Sequence, residues 1–359
     1  LIMGNLSYPT VGFNRFAESV YIRQLLGEEE SAHLAASLQA EASNRFSSGL
    51  PAMLVARELG LQAGSLSLDA ACASGLYAIK LACDRLQNGT ADAMLAGAVN
   101  AADPLFIHMG FCALSAMSLS GQSRPFNREA DGLVPSEGAA FVLLKRLTDA
   151  IEDDSAILGV IRGIGLSNDG RSGGFLSPSA LGQAQALQHA YASSHATLAA
   201  DDVSYVECHA TGTPVGDATE IDSLKEIFGE SELVLSSLKA NLGHLITTSG
   251  LAGVLKVLSA FQYEELPATP NAHPLLDEIS NSPFSVLQEP KPWRGKQGRL
   301  IAGVSSFGFG GNNAHVVLEK WSENRREAAS ATRHADDSHS ANHSAMSQPV
   351  AVISLAVHT

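Results

Sequence analysis

The sequence predicts an α/β protein. Short apolar runs of strand length alternate with stretches of helical periodicity from residue 1 to about Trp321, and glycine is spread through that whole span. No short internal repeat points to a solenoid. The 359 residues suffice for two ordinary domains or one bilobed enzyme with an ample core, and 45% apolar against 17% charged residues reads as a soluble globular chain.

Leu1-Ile-Met-Gly-Asn-Leu reads as the end of an interior strand entering a loop, as in a piece of a longer polypeptide. Leu66-Ser-Leu68 is a short strand ahead of the tight run Asp69-Ala-Ala-Cys72-Ala-Ser-Gly75. A helix follows with Leu76, Ile79, Cys83 and Leu86 on one face, closed by Asn88-Gly89. Residues 93–98 and 139–144 are buried-strand runs. Residues 157–166 read as a strand, 182–192 as a helix, and 203–207 as a strand ending in Cys208-His209. Residues 249–261 form a helix whose Leu251, Val254, Leu255 and Leu258 share a face. Two closing strands flank the glycine loop Phe307-Gly-Phe-Gly-Gly311. From Ser322 to Gln348 the sequence is Ser, Ala, His and charge with almost no large apolar residue, so 322–348 reads as a low-complexity linker whose histidines lack ligand spacing. Residues 349–359 then resume as an apolar strand, the start of a following domain.

Charge narrows the partners. Lys plus Arg number 23 against 37 Asp plus Glu, a formal charge of -14, which repels phosphate backbones and anionic bilayers. Neither nucleic acid nor a membrane is expected as a partner. With no apolar stretch of membrane-spanning length and no secretory signal in the first residues, a cytoplasmic location is expected. Cys72, Cys83, Cys112 and Cys208 form no C-x-x-C pair, so neither a disulfide framework nor a metal site is expected.

Cys72 sits where a strand turns sharply into a helix, among small neighbours that permit close approach of a substrate. A helix N-terminus favours a thiolate, and the amide of the same residue can donate to an oxyanion. The other reading is a buried structural cysteine, which fits Cys83 and Cys112 in their apolar contexts. Two loop histidines after strands are candidate partners: His209 in Glu207-Cys-His-Ala-Thr-Gly-Thr-Pro-Val-Gly-Asp217 and His244 in Leu238-Lys-Ala-Asn-Leu-Gly-His244. Cys208 points away from His209 and reads as packing. Lys239 can orient an imidazole, hold a carboxylate such as Glu137 or Asp217, or simply snorkel at the surface. The glycine loop precedes a strand rather than a helix, so it is no dinucleotide fingerprint; beside an active site the Phe309 amide could be a second oxyanion donor.

Five motifs then coincide in order: DAACASG around Cys72, SRPFNREADGLVPSEGAA from Ser123, CHATGTPVGDATE from Cys208, LKANLGHL from Leu238 and GVSSFGFGGNNAHVVLE from Gly303. Together they resemble the β-ketoacyl synthases, the condensing enzymes of fatty-acid and polyketide assembly. The resemblance implies a thiolase-like fold of two related βαβ halves in a five-layer αβαβα sandwich: residues 1–155 an incomplete half carrying the nucleophile, 156–321 the second half. It also implies a homodimer within a multidomain synthase. In the implied ping-pong mechanism Cys72 takes an acyl chain from the phosphopantetheine arm of an acyl carrier protein, with the amides of Cys72 and Phe309 holding the oxyanion. His209 and His244, supported by Lys239, then promote decarboxylation of malonyl carrier protein for Claisen condensation. No bound cofactor is implied.

Cys208 and Ala210 stand where Ala-His-Gly is usual around His209, and the stretch after His244 is nearer fatty-acid and polyunsaturated fatty-acid synthase forms than modular polyketide ones. The family's opening strand is absent ahead of Leu1, which implies an exposed sheet edge in the first half. A non-catalytic fragment or scaffold domain is therefore the main alternative to an enzyme, and a degradative thiolase-like activity is opposed by the paired histidines. Docking of an acidic carrier protein would need a local basic patch, for which Lys80, Arg85, Lys145 and Arg146 are candidates.

Overall fold

The computed structural model describes residues 1–6, 24–27, 49–101, 104–171, 177–193, 198–322 and 349–358. Strand β1 (Ile2–Gly4) is buried throughout. Helix α1 (Leu50–Glu58) carries Pro51 in its first turn, where a missing amide costs no helical bond. After β2 (Leu66–Leu68), α2 (Ser74–Gln87) buries Leu76, Ile79, Cys83 and Leu86, the face its periodicity predicts. There follow β3 (Ala93–Asn100), α3 (Pro104–Ala113), β4 (Gly138–Arg146), α4 (Leu147–Glu152), β5 (Gly159–Asn168) and α5 (Ala180–Ala192). The second half continues through β6 (Tyr205–Glu207), α6 (Pro214–Phe228), β7 (Leu233–Ser236), α7 (Lys239–Leu242) and α8 (Ser249–Tyr263). It ends with β8 (Glu265–Leu266), α9 (Asp277–Ser280), β9 (Phe284–Val286), β10 (Lys291–Pro292), β11 (Ile301–Gly308) and β12 (Asn312–Glu319).

One mixed sheet of 11 strands runs in the order β2-β1-β3-β4-β13-β5-β12-β11-β6-β7-β9, where β13 is Val350–His358. Helices flank it, as in the thiolase-like fold. β6 and β7 are parallel neighbours joined by α6, the crossover that a parallel pair requires. β11 and β12 are an antiparallel hairpin closed by Gly310 and Gly311, at φ 86° and 79°, so the glycine loop is a tight turn. α2 and α8 meet at glycines: a Cβ on Gly250 would stand 2.7 Å from Leu76 Cγ, and one on Gly75 3.1 Å from Leu251 Cγ. That contact sets the start of α2 beside residues 246–249. Among the described residues no helix is long and apolar enough to cross a membrane.

One feature differs from the sequence reading. Val350–His358, read as the opening of a following domain, pairs antiparallel with β4 along its length and with β5 over Val350–Val352. Val350, Ala351 and Val352 are fully buried there, which gives this apolar run the same reason to pair as any core strand. β13 thus stands between β4 and β5, and one sheet runs through both. The linker lies, from residue 323 to 348, outside the described residues.

Candidate active site

Cys72 lies between β2 and α2 in a turn shaped by its small neighbours. Ala71 has φ 50°, Asp69 Oδ1 accepts from the Ala71 amide at 2.9 Å, and Ser74 Oγ accepts from the Ala70 amide at 2.9 Å while donating to the Ala71 carbonyl at 2.6 Å. Ser306 on β11 donates to the Cys72 carbonyl at 2.6 Å, fixing the turn to the opposite half. Cys72 is 2% exposed, and burial pushes its thiol up to about 12. The Lys239 charge and the backbone amides of Phe309 and Cys72 oppose that rise.

His244 approaches from the other half. Its Nε2 is 3.0 Å from Cys72 Sγ, its amide donates to the Val134 carbonyl at 2.7 Å, and its carbonyl accepts from the Ser136 amide at 2.9 Å. His209 completes the group, its ring edge-on to His244 with centroids 5.4 Å apart and to Phe307 at 5.8 Å. Burial first, then the Lys239 charge, holds both imidazoles well below their ordinary proton affinity, and His244 further disfavours a charge on His209. Both rings are therefore neutral. The three side chains open onto a cavity of about 390 Å³, with Leu133, Phe307 and Phe309 among its walls.

The loop carrying His209 is held by carboxylates that sequence reasoning did not single out for this role. Glu220 on α6 accepts from the amides of His209 and Ala210 at 2.8 and 2.7 Å. Asp217, one turn earlier, accepts from Thr211 at 2.9 Å, from Gly212 at 3.2 Å and, across the chain, from Phe126 at 2.9 Å. Burial raises Asp217 to about 6 and Glu220 to about 7 despite these donors. The available signal was Pro214 behind Thr213, a helix-start pattern that places positions 217 and 220 one turn apart over the preceding loop. Ala210 fits because the positive φ of this loop falls on Gly212, at 82°.

Lys239 is 6% exposed and does not snorkel. Its Nζ donates to the Cys208 carbonyl at 3.3 Å; among the described residues no ion pair joins it to Glu137 or Asp217. Cys208 itself is buried in the core beside Val206 and Phe126. Of the basic residues suggested for carrier docking, Lys80 pairs with Asp84, Lys145 with Asp153, and Arg146 with Asp92 and Asp149, and none of the four lines the cavity. The donor atoms of Cys72, His209 and His244 lie within 4.8 Å of one another, a sulfur and two nitrogens that could hold zinc, although the buried Lys239 charge opposes a divalent cation there.

Chemically, this is a thiol in contact with a neutral imidazole, with a second neutral imidazole beside it, opening onto one cavity. Known proteins are similar to this chain in sequence. A family model described as "Beta-ketoacyl synthase, N-terminal domain" matches residues 19–150, its C-terminal counterpart matches 158–273, and a "Ketoacyl-synthetase C-terminal extension" matches 270–352. The chain is 38% identical over 334 residues to a polyunsaturated fatty acid synthase polypeptide of Thraustochytrium sp., covering 89% of this chain and 16% of that protein. It is 39% identical over 272 residues to a phenolphthiocerol/phthiocerol polyketide synthase polypeptide of Mycobacterium tuberculosis, covering 74% and 17%. The chain thus spans about a sixth of the length of these relatives. Among solved structures, the PfaC keto synthase-chain length factor superposes with a TM-score of 0.80 at 38% identity, covering 90% of this chain and 36% of that one. The ketosynthase from module 6 of the bacillaene synthase from Bacillus subtilis 168 gives 0.72 at 33% identity, covering 82% and 56%.

Proposed function

Since the chain belongs to the β-ketoacyl synthase family of acyltransferases, we propose that it condenses an acyl group with malonyl carrier protein, with Cys72, His209 and His244 as catalytic residues. The observation that carries this reading is the 3.0 Å contact of Cys72 Sγ with His244 Nε2, with His209 edge-on beside it in the same cavity.

A thiol raised to about 12 is not a resting thiolate. The nucleophile is generated in the step: the thiol proton passes to His244 Nε2 as sulfur attacks the acyl thioester. The amides of Cys72 and Phe309 receive the oxyanion, and the carrier thiol leaves with the proton. In the second step the malonyl thioester carbonyl accepts hydrogen bonds from His209 and His244. Carbon dioxide departs, its bonding electrons become the enolate, and the enolate carbon attacks the acyl-cysteine carbonyl. The β-ketoacyl group stays on the carrier, and the Cys72 sulfur, expelled as a thiolate, takes its proton from solvent, the one proton the decarboxylative condensation consumes. Neutral rings suit both parts, since a neutral imidazole can take the thiol proton in one step and donate to the enolate oxygen in the other.

The substrates would be carried on phosphopantetheine of acyl carrier protein, and the chain would act as a homodimeric unit beside other domains of a synthase. A fatty-acid product is favoured by the longer match, 89% of this chain to the Thraustochytrium polyunsaturated fatty acid synthase against 74% to the mycobacterial polyketide synthase. Residues 1–155 and 156–321 would be its two ketosynthase halves. The test is product mass: acyl and malonyl carrier proteins together yield the β-ketoacyl carrier species with the wild-type chain and none with His209→Ala or Cys72→Ala. A chain that binds carrier protein yet forms no product would establish the scaffold role instead.

A further inference from the structure

Glu207, at the end of β6, is 2% exposed and forms no part of the cavity wall. Its Oε1 accepts from the Leu238 amide at 2.5 Å, and its Oε2 accepts from the Tyr205 hydroxyl and the Lys256 ammonium, each at 2.8 Å. Lys256, on α8, also donates to Ser236 Oγ at 2.6 Å. The α8 backbone passes close over this carboxylate at Gly253, where a Cβ would stand 3.0 Å from Glu207 Cγ. Glu207 therefore ties together the end of β6, the start of α7 and the middle of α8. It is the neighbour of Cys208, its hydrogen-bond partner Leu238 is the neighbour of Lys239, and those two neighbours meet in the Lys239 Nζ to Cys208 carbonyl bond.

A buried ion pair is weak evidence for stability, because desolvation of both charges offsets their attraction. Here its effect is positional. We propose that Glu207, clamped by Lys256, is a positioning residue that sets Lys239 beside the two imidazoles and so serves malonyl decarboxylation more than acylation of Cys72. This rests on the function proposed above. The acylation machinery is anchored elsewhere: the Cys72 carbonyl by Ser306, and His244 by Val134 and Ser136. Lys239, by contrast, depends on Glu207 for both place and charge. Burial lowers its proton affinity, and Glu207 is the foremost of the groups that restore it, ahead of Glu220, Cys72 and Cys208. The groups that face Lys239 from α6 also include Asp217, and the imidazoles of His209 and His244 face it across the site.

The experiment uses the full chain with Glu207→Gln, and with Glu207→Gln combined with Lys256→Met, which removes both members of the Glu207–Lys256 pair should the single variant fold poorly. Single-turnover acylation of Cys72 is measured by intact mass, and decarboxylation of malonyl carrier protein by carbon dioxide release from neutral to alkaline pH. Acylation should stay within about twofold of wild type while decarboxylation kcat falls roughly tenfold or more with KM nearly unchanged. The alkaline limb of decarboxylation should move to lower pH as Lys239 loses its supporting anion. Parallel losses in both half-reactions that track a fall in Tm would overturn the proposal, as would no loss in either. If the wild-type chain itself does not acylate, the proposed function falls; if it performs both steps and the variants lose neither, only this inference falls.

Discussion

Gly243 closes α7 immediately before His244 with φ 74° and ψ −171°, a backbone region essentially reserved for glycine. A Cβ there would stand 2.8 Å from the Val134 carbonyl oxygen, the same atom that accepts the His244 amide at 2.7 Å. Gly243→Ala therefore meets two costs: about 1–3 kcal/mol for the backbone conformation and about 1 kcal/mol for the weakened hydrogen bond, roughly 3 kcal/mol together. Gly89, past the end of α2, is the control, since it has φ 69° but a Cβ there would meet nothing within 4 Å. Gly89→Ala should cost only about 1 kcal/mol. Urea denaturation reads the difference, and single-turnover acylation reads its consequence. Gly243→Ala should acylate roughly tenfold more slowly or worse, because Nε2 leaves its contact with Cys72, while Gly89→Ala acylates at the wild-type rate. Equal stability losses in the two variants, or wild-type acylation by Gly243→Ala, would refute the reasoning that this close approach places His244.

Ser306→Ala removes the donor to the Cys72 carbonyl from a site 1% exposed, so it should cost about 1–2 kcal/mol in denaturant titration and slow acylation by mislocating the turn. Glu220 has a folded-state value raised from 4.5 to about 7, so the folded chain holds its proton more tightly than the unfolded one. The stability this contributes is present below about 4.5 and lost as pH rises through about 7, a span of order 3 kcal/mol. The stability of Glu220→Gln relative to wild type should accordingly rise across that window and level off above it; a relative stability flat with pH would contradict a carboxyl raised by burial. Val352→Asp places a charge at a fully buried position of β13 and should destabilise by about 3 kcal/mol or more. A Val352→Asp chain as stable as wild type in thermal melts would mean that β13 does not belong to this sheet.

The parts of the fold legible in sequence are those whose signal is local. α2 and α8 announce themselves through apolar spacing, and the glycine turn between β11 and β12 through residues that tolerate positive φ. Cys72 and His209 stood out for the same reason, each lying where a strand gives out, whereas His244, read as following a strand directly, is separated from β7 by the short helix α7. What stayed hidden is non-local. That Glu220 caps the His209 loop depends on α6 folding back over it, and that Ser306 reaches the Cys72 carbonyl depends on two segments 234 residues apart. Lys239 was open to three readings, orienting an imidazole, holding a carboxylate or snorkelling, and its ammonium donates instead to the Cys208 carbonyl, a partner 31 residues away that no local pattern names. For β13 the apolar pattern was plain, but nothing in a pattern says which sheet a strand will join.

The central claim is that Cys72 is a working nucleophile in a site assembled from both halves of the chain. Intact mass of the purified chain after incubation with a medium-chain acyl carrier protein tests it most directly, beside Cys72→Ala. A gain equal to the acyl group is expected in the wild-type chain and none in the variant. No gain in a wild-type chain that unfolds cooperatively, or an equal gain in Cys72→Ala, would contradict it.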